Sequence, residues 1–371
     1  MKRILMVVLV VIIAGGLFLS CGEATPSTTA TISPTATTTH PTTATPTPTA
    51  AKTYNLKFAY HTTPTASMVG AYFQPWTNAI EVATNNQVKI THYGAESLVK
   101  AKDVYDAVVS GLCDIGLVDP AENSGRFPRL EFDTLPLMFP DSATEAKVWW
   151  DICQKYSVNT ELKDVQLLAV AVIAPSNYIG NKPAKDLADF KGMRIRTGGR
   201  TESWTIEALG GTPLEVDSSA IYSALNTGLI DSAFLSWSYM LATGAKDVSK
   251  YATEVNLYQR AYFIVMNKKT WDSLTPALQK IIMDQSGKDG SAKYCAADAI
   301  VSAGKKGAIA GAFGAAHKDP IYTLTAEQTA AWKAAVTTVW NRWASDLQAK
   351  GLPGLAILAD LRTLVAQYSA K

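Results

Sequence analysis

The stretch Val104-Tyr105-Asp106-Ala107-Val108-Val109-Ser110-Gly111-Leu112-Cys113-Asp114 returns, in altered wording, as Ile221-Tyr222-Ser223-Ala224-Leu225-Asn226-Thr227-Gly228-Leu229-Ile230-Asp231. In the first copy Val104, Ala107 and Val108 recur at helical spacing, Asp103 stands where an N-cap belongs, and Gly111 supplies the stop. Cys113-Asp114-Ile115-Gly116-Leu117-Val118 then reads as a buried strand. Upstream of each copy runs a strand of alternating basic and apolar residues ending near glycine, 88–94 in one and 193–198 in the other. Strand–helix–strand units build mostly parallel sheets with helices on both faces, so two units in the same order predict two similar α/β lobes. A cleft between such lobes is the default site for a small ligand.

The flanks fit this plan. Leu56-Lys57-Phe58-Ala59-Tyr60 alternates as a strand, and Val69, Trp76, Ile80 and Ala83 keep helical spacing. The last third is helical. Thr275-Pro276 is an N-cap with proline at the first helical position, and the helix is expected to run past Ile281, Tyr294 and Ile300 toward Gly304, bracing both lobes. Thr325-Ala326-Glu327-Gln328 has the form of a capping box. Trp332, Val336, Val339, Trp340, Trp343 and Leu347 make the apolar face of the last major helix and are expected in the core. Gly304, Gly307, Gly311 and Gly314 lack phosphate-loop spacing and suggest close helix packing.

The chain has 371 residues, of which 34 are basic and 32 acidic, a formal charge of +2. That balance argues against a nucleic-acid partner. Lys2 and Arg3 precede an uncharged apolar run over residues 4–19. As a helix this run reaches ~24 Å, short of a ~30 Å hydrocarbon core, so residues 1–20 read as a secretion signal. Leu17-Phe18-Leu19-Ser20-Cys21 also resembles a bacterial lipoprotein signal, with Cys21 as the lipidated residue; an ordinary cleaved signal is the alternative. From 24 to 51 no residue is charged, and Thr, Pro, Ala and Ser dominate. Such a segment buries too little apolar surface to fold, so 21–53 is expected to be an extended linker from membrane to globule. Without Lys2 and Arg3 the remaining chain is formally neutral.

No metalloprotease, nucleophile-elbow, Walker or dinucleotide motif is present, so catalysis has no positive support and no cofactor or metal is expected. Cys113, Cys153 and Cys295 lack metal-ligand spacing; they are either buried free thiols or include one disulfide pair.

Several segments resemble the solute-binding proteins of tripartite ATP-independent periplasmic (TRAP) transporters. Leu187-Ala188-Asp189-Phe190-Lys191-Gly192-Met193-Arg194-Ile195-Arg196 resembles the family's D-L-K-G-L-K-I-R signature. Arg126-Phe127-Pro128, Leu135-Pro136-Leu137-Met138-Phe139, Ala208-Leu209-Gly210-Gly211-Thr212-Pro213, the stretch from Tyr222 to Asp231, and Val265-Met266-Asn267-Lys268-Lys269-Thr270-Trp271 follow the family in order. The resemblance implies a two-lobed, Venus-flytrap α/β fold of the periplasmic-binding-protein kind, closing on an organic anion for delivery to integral membrane TRAP subunits. By the same analogy, 54–173 plus 262–301 form lobe one, 174–261 lobe two, and 302–371 pack across both.

Arg196 matches the family's carboxylate-binding arginine, and a guanidinium offers the planar fork that a carboxylate accepts bidentately. The alternative is a strand-end salt bridge. Arg194, two residues earlier, reads as solvated. Many members carry a second arginine where this chain places Ser176, beside Asn177, and both are candidate ligand contacts. Where many members have Q-E-N-P, this chain has Ala233-Phe234-Leu235-Ser236. The exchange removes polarity and an acidic metal ligand used by some members, and sets Phe234 and Trp237 beside the cleft or in the lobe core. A monocarboxylate with an apolar or aromatic body, held by Arg196 and stacked on Trp237, is the expected ligand. Tyr60 and His61, at a strand's carboxyl end, are candidate contacts from the facing lobe; Glu96 reads better as a solvated loop charge. The competing functions are a ligand sensor docking on a membrane kinase and, more remotely, an extracytoplasmic enzyme on the same fold.

Overall fold

Two sheets carry the chain, and each repeats the strand order of the other. In the computed structural model the described residues are 52–123, 125–313 and 321–370. The expected signal 1–20, Cys21 and the linker as far as residue 51 lie outside them, as does Gly314. The strands are Tyr54–Ala59 (β1), Val88–Tyr93 (β2), Ile115–Val118 (β3), Val165–Val172 (β4), Asn177–Gly180 (β5), Arg194–Thr197 (β6), Thr212–Glu215 (β7), Ser232–Leu235 (β8), Tyr251–Glu254 (β9), Ala261–Asn267 (β10) and Ile321–Thr323 (β11). One sheet runs β2-β1-β3-β10-β4, and the other, read in the same sense, β7-β6-β8-β5-β9-β11. Pairing directions agree as well. β1 is parallel to β2 and β3, as β6 is to β7 and β8; β10 runs antiparallel to β3 and β4, as β5 does to β8 and β9.

The repeated stretch therefore occupies equivalent places, each copy a helix ending on a left-handed glycine (Gly111 at φ +82°, Gly228 at φ +70°) ahead of β3 or β8. Asp103 caps the first copy by position only, without a side-chain bond. The upstream strands need correction. The counterpart of β2 is β7, and the segment matched to it in sequence is β6, the counterpart of β1. β7 escaped the sequence pattern because Thr212-Pro213-Leu214-Glu215 forms an edge strand with no buried residue, where proline is tolerated and alternation is lost.

The chain crosses between the sheets at 173–176 and returns at 255–260, and the two crossings are tied together. The Ile173 amide donates to the Arg260 carbonyl at 2.9 Å, Ser176 to Tyr258 at 2.8 Å, and Leu257 to Ser176 at 2.8 Å. The expected bracing helix is broken in two, Pro276–Gln285 and Gly287–Ala303. Gly287 takes φ +61°, and Ser286, held outside helical geometry, accepts a hydrogen bond from Trp76 Nε1 at 2.9 Å. The second half still reaches across: Ser302 Oγ accepts the Ser238 amide of the second lobe at 3.2 Å.

The capping box at Thr325 and Gln328 forms as read. Its helix stops at Val336 and a new one runs over Thr338–Ala349, followed by Gly354–Ser369, so the tryptophan face is not the last helix. Trp332 and Trp343 are fully buried, Trp332 in a core of the second lobe and Trp343 in that of the first. The glycine reading fails at Gly307 and Gly311, where an added Cβ meets nothing within 4 Å. Cys113, Cys153 and Cys295 are buried free thiols.

Candidate functional site

Between the two sheets lies a cavity of about 1190 Å³. β6 delivers Arg196 to it. Arg194 and Arg196 share a face of this strand, but Arg194 stands at its exposed start, where it pairs with Asp231 at 3.3 Å, and Arg196 lies two residues deeper, where it is 5% exposed. Arg196 Nε donates to the Val216 carbonyl at 2.9 Å and Nη2 to Ser218 Oγ at 3.3 Å. A guanidinium has five N–H donors, so these bonds fix its plane and leave donors on Nη1 and Nη2, the edge that forms a carboxylate fork. Gly198 lies against that plane: a Cβ there would come within 2.6 Å of Arg196 Nη2.

A second guanidinium faces the same cavity. Arg260, at the end of the returning crossing, has Nη2 3.4 Å from Asp119 Oδ2 and Nε 3.9 Å from Glu202 Oε1. Glu202, 2% exposed, also stands 3.6 Å from Arg196 Nη1 and accepts the Gly198 amide at 2.6 Å. Burial pulls the Arg260 guanidinium down, but Asp119 and Glu202 outweigh it and hold it well above its ordinary value. Sequence reasoning missed Arg260, Asp119 and Glu202. The available signal was a lone charge within the otherwise uncharged and mostly apolar Leu257-Tyr258-Gln259-Arg260-Ala261-Tyr262-Phe263, since arginine is almost never buried unpaired.

Of the residues singled out in sequence, Arg196, Ser176, Phe234 and His61 line the cavity. Burial lowers the His61 imidazole, and its Nδ1 is enclosed without a hydrogen-bond partner. Glu96 lines the wall too, with its carboxylate bound to the Ala101 amide and to Lys100, both at 2.9 Å. Tyr60, Asn177 and Trp237 are placed elsewhere. Tyr60 is buried beside Phe58 and Phe73 with its hydroxyl on His92, and Asn177 Oδ1 accepts the Val255 and Asn256 amides at the crossing. Trp237 turns into a second-lobe core. The short helix Trp237–Ala242, capped by Ser236, instead sets Tyr239 on the cavity wall, and Tyr258 and Tyr262 join it from the crossing and β10. The aromatic surface expected from Trp237 is thus supplied by Phe234 and by tyrosines, Tyr239, Tyr258 and Tyr262 among them. Among the described residues, no group of three His, Cys, Asp or Glu side chains is placed to hold a metal ion.

The arrangement offers a fixed guanidinium with donors to spare, an aromatic wall and a hinge, which suits reversible capture of a small acid. Comparison with known proteins agrees with this chemistry. The model of the bacterial extracellular solute-binding protein family 7 matches residues 58–346. The C4-dicarboxylate-binding periplasmic protein DctP of Rhodobacter capsulatus is 26% identical over 299 residues, 80% of this chain and 88% of that one. A TRAP solute-binding protein from Rhodoferax ferrireducens, solved in complex with copurified benzoate, superposes with a TM-score of 0.79 at 27% identity, covering 86% of this chain and 99% of that one. A marine-metagenome TRAP solute-binding protein specific for aromatic acid ligands, in complex with metahydroxyphenylacetate, gives 0.78 at 25% identity, covering 85% and 99%.

Proposed function

The chain belongs to family 7 of the bacterial extracellular solute-binding proteins, and on that premise we propose that it captures an aromatic monocarboxylate between its lobes and hands it to a TRAP-type membrane carrier. The observation that carries the ligand class is Arg196, fixed by Val216 and Ser218 with N–H donors left over on Nη1 and Nη2, facing a wall of Phe234, Tyr239, Tyr258 and Tyr262. A charge-assisted bond to the carboxylate contributes about 1.5–3 kcal/mol. Aromatic enclosure supplies the remainder, and the relatives solved with benzoate and metahydroxyphenylacetate support an aromatic body. Ser176 and His61 serve the facing side of the ligand. Its role is binding and delivery, with no catalytic step; Cys21 tethers it to the membrane through the linker 21–53, and the lobes divide as 54–173 plus 262–301 and 174–261.

The test begins with mass spectrometry of acid released from natively purified protein, followed by thermal-shift titration with aromatic acids such as benzoate. Arg196→Lys keeps the charge but loses the fork, and is expected to weaken binding about 10- to 100-fold. A folded Arg196→Lys protein with wild-type affinity overturns the assignment. Arg196→Ala is a harsher variant, because it also strips a counter-charge from buried Glu202 and is expected to lower the unliganded melting temperature.

A further inference from the structure

We propose that Glu202 and Asp119 set the charge of the acid this site accepts: between them they cancel the charges of Arg260 and Arg196, so that one carboxylate on Arg196 is tolerated and dianions are turned away. This rests on Arg196 being the carboxylate anchor. The two acids are built into place. Asp119 Oδ1 accepts the Ala121 amide at 2.8 Å while Oδ2 faces Arg260 at 3.4 Å; Glu202 Oε2 accepts the Gly198 amide at 2.6 Å while Oε1 faces Arg260 at 3.9 Å. Backbone donors hold each carboxylate, so neither is free to swing away when a ligand arrives. Both are buried, at 3% and 2% exposed.

The local charges decide the outcome. Arg196 and Arg260 carry two positive charges, and Asp119 and Glu202 cancel both before any ligand enters. A monocarboxylate on the Arg196 fork leaves one net negative charge among buried groups, and a second carboxylate would leave two in a medium of low dielectric. The wider wall sharpens the effect. Glu96, Glu122, Asp217 and Asp298 also line the cavity, against Lys305 as its further cation. Specificity here works by repulsion of the wrong partner as well as attraction of the right one. Arg260 Nε, buried and without a hydrogen-bond partner, is the donor that gains a free charge to offer once either acid is neutralised.

Glu202→Gln and Asp119→Asn remove one charge each while keeping an acceptor for the backbone amide. Isothermal titration of wild type and both variants with benzoate and isophthalate gives the ratio of their dissociation constants. Wild type is expected to prefer benzoate by about a hundredfold, and each variant to narrow that preference by about tenfold or more. Folded variants that keep the wild-type ratio, or a wild type that binds both acids equally, overturn the proposal. Failure of wild type to bind any aromatic acid instead overturns the anchor reading, and so is distinguishable.

Discussion

Gly198 and Arg196 lie so close that no side chain fits between them: a β-carbon on Gly198 would stand 2.6 Å from Arg196 Nη2, 2.8 Å from Nη1 and 2.9 Å from Cζ. The obstructed atoms are all at the far end of one long side chain, so the backbone has no reason to move and the guanidinium must. Gly198→Ala is therefore expected to lower the melting temperature little, since the clash is relieved at the tip of one side chain. Carboxylate affinity is expected to fall about tenfold or more, because the fork leaves its plane defined by Val216 and Ser218. Titration calorimetry beside a thermal melt checks both halves; equal losses of fold and affinity would contradict the account.

Trp237 and Tyr239 are two residues apart and divide the labour that sequence reasoning had given to one. Trp237 is 5% exposed within a second-lobe core, with Lys306 Nζ 5.9 Å from its ring centre, whereas Tyr239 lines the cavity. Trp237→Ala is expected to cost about 3–5 kcal/mol of stability, as large aromatic truncations in cores do. Tyr239→Ala is expected to spare stability and weaken aromatic-acid binding by about tenfold, the scale of one lost aromatic contact. Denaturant unfolding and ligand titration of the two variants separate the roles, and the reverse pattern would restore Trp237 to the site.

Much of this was readable in the chain, for physical reasons that differ between fold and site. The repeated stretch revealed both lobes because its helix, its left-handed glycine and the following buried strand each leave a local mark. β7 and the break at Ser286 left none: an edge strand needs no alternation, and Trp76, which donates to Ser286, is distant in sequence. Arg196 was found through a motif and through the chemistry of its guanidinium. Its setting was not. Glu202, Asp119 and Arg260 come together only when a helix start, the end of β3 and the returning crossing converge, and pairwise charge contacts of that kind have no spacing rule. Trp237 was misplaced for a smaller reason, the Ser236 cap, which begins a helix and rotates the next residues away from strand alternation.

Asp133 gives the protein a pH response opposite to that of an ordinary salt-bridged carboxylate. Burial pushes its carboxyl up to about 8, Arg260 opposes the rise, and Asp119 and Glu202 add to it; Oδ2 has no hydrogen-bond partner. The unfolded chain titrates this group near ~3.9, so between roughly pH 4 and pH 8 the folded state binds more protons. Stability is then highest below the unfolded value and falls as pH rises toward the folded one, by at most roughly 1.4 kcal/mol per pH unit. Glu145, fully buried with both oxygens unpartnered and raised by burial and by Asp133, acts in the same direction. Asp133→Asn keeps the shape and removes the proton. Denaturant unfolding at pH 5, 6, 7 and 8 is expected to show the variant gaining most over wild type at pH 8, with a shallower slope and a residue of slope left by Glu145. A variant whose stability tracks wild type across that range would mean that Asp133 stays ionised in the fold, with Arg260 as its counter-charge.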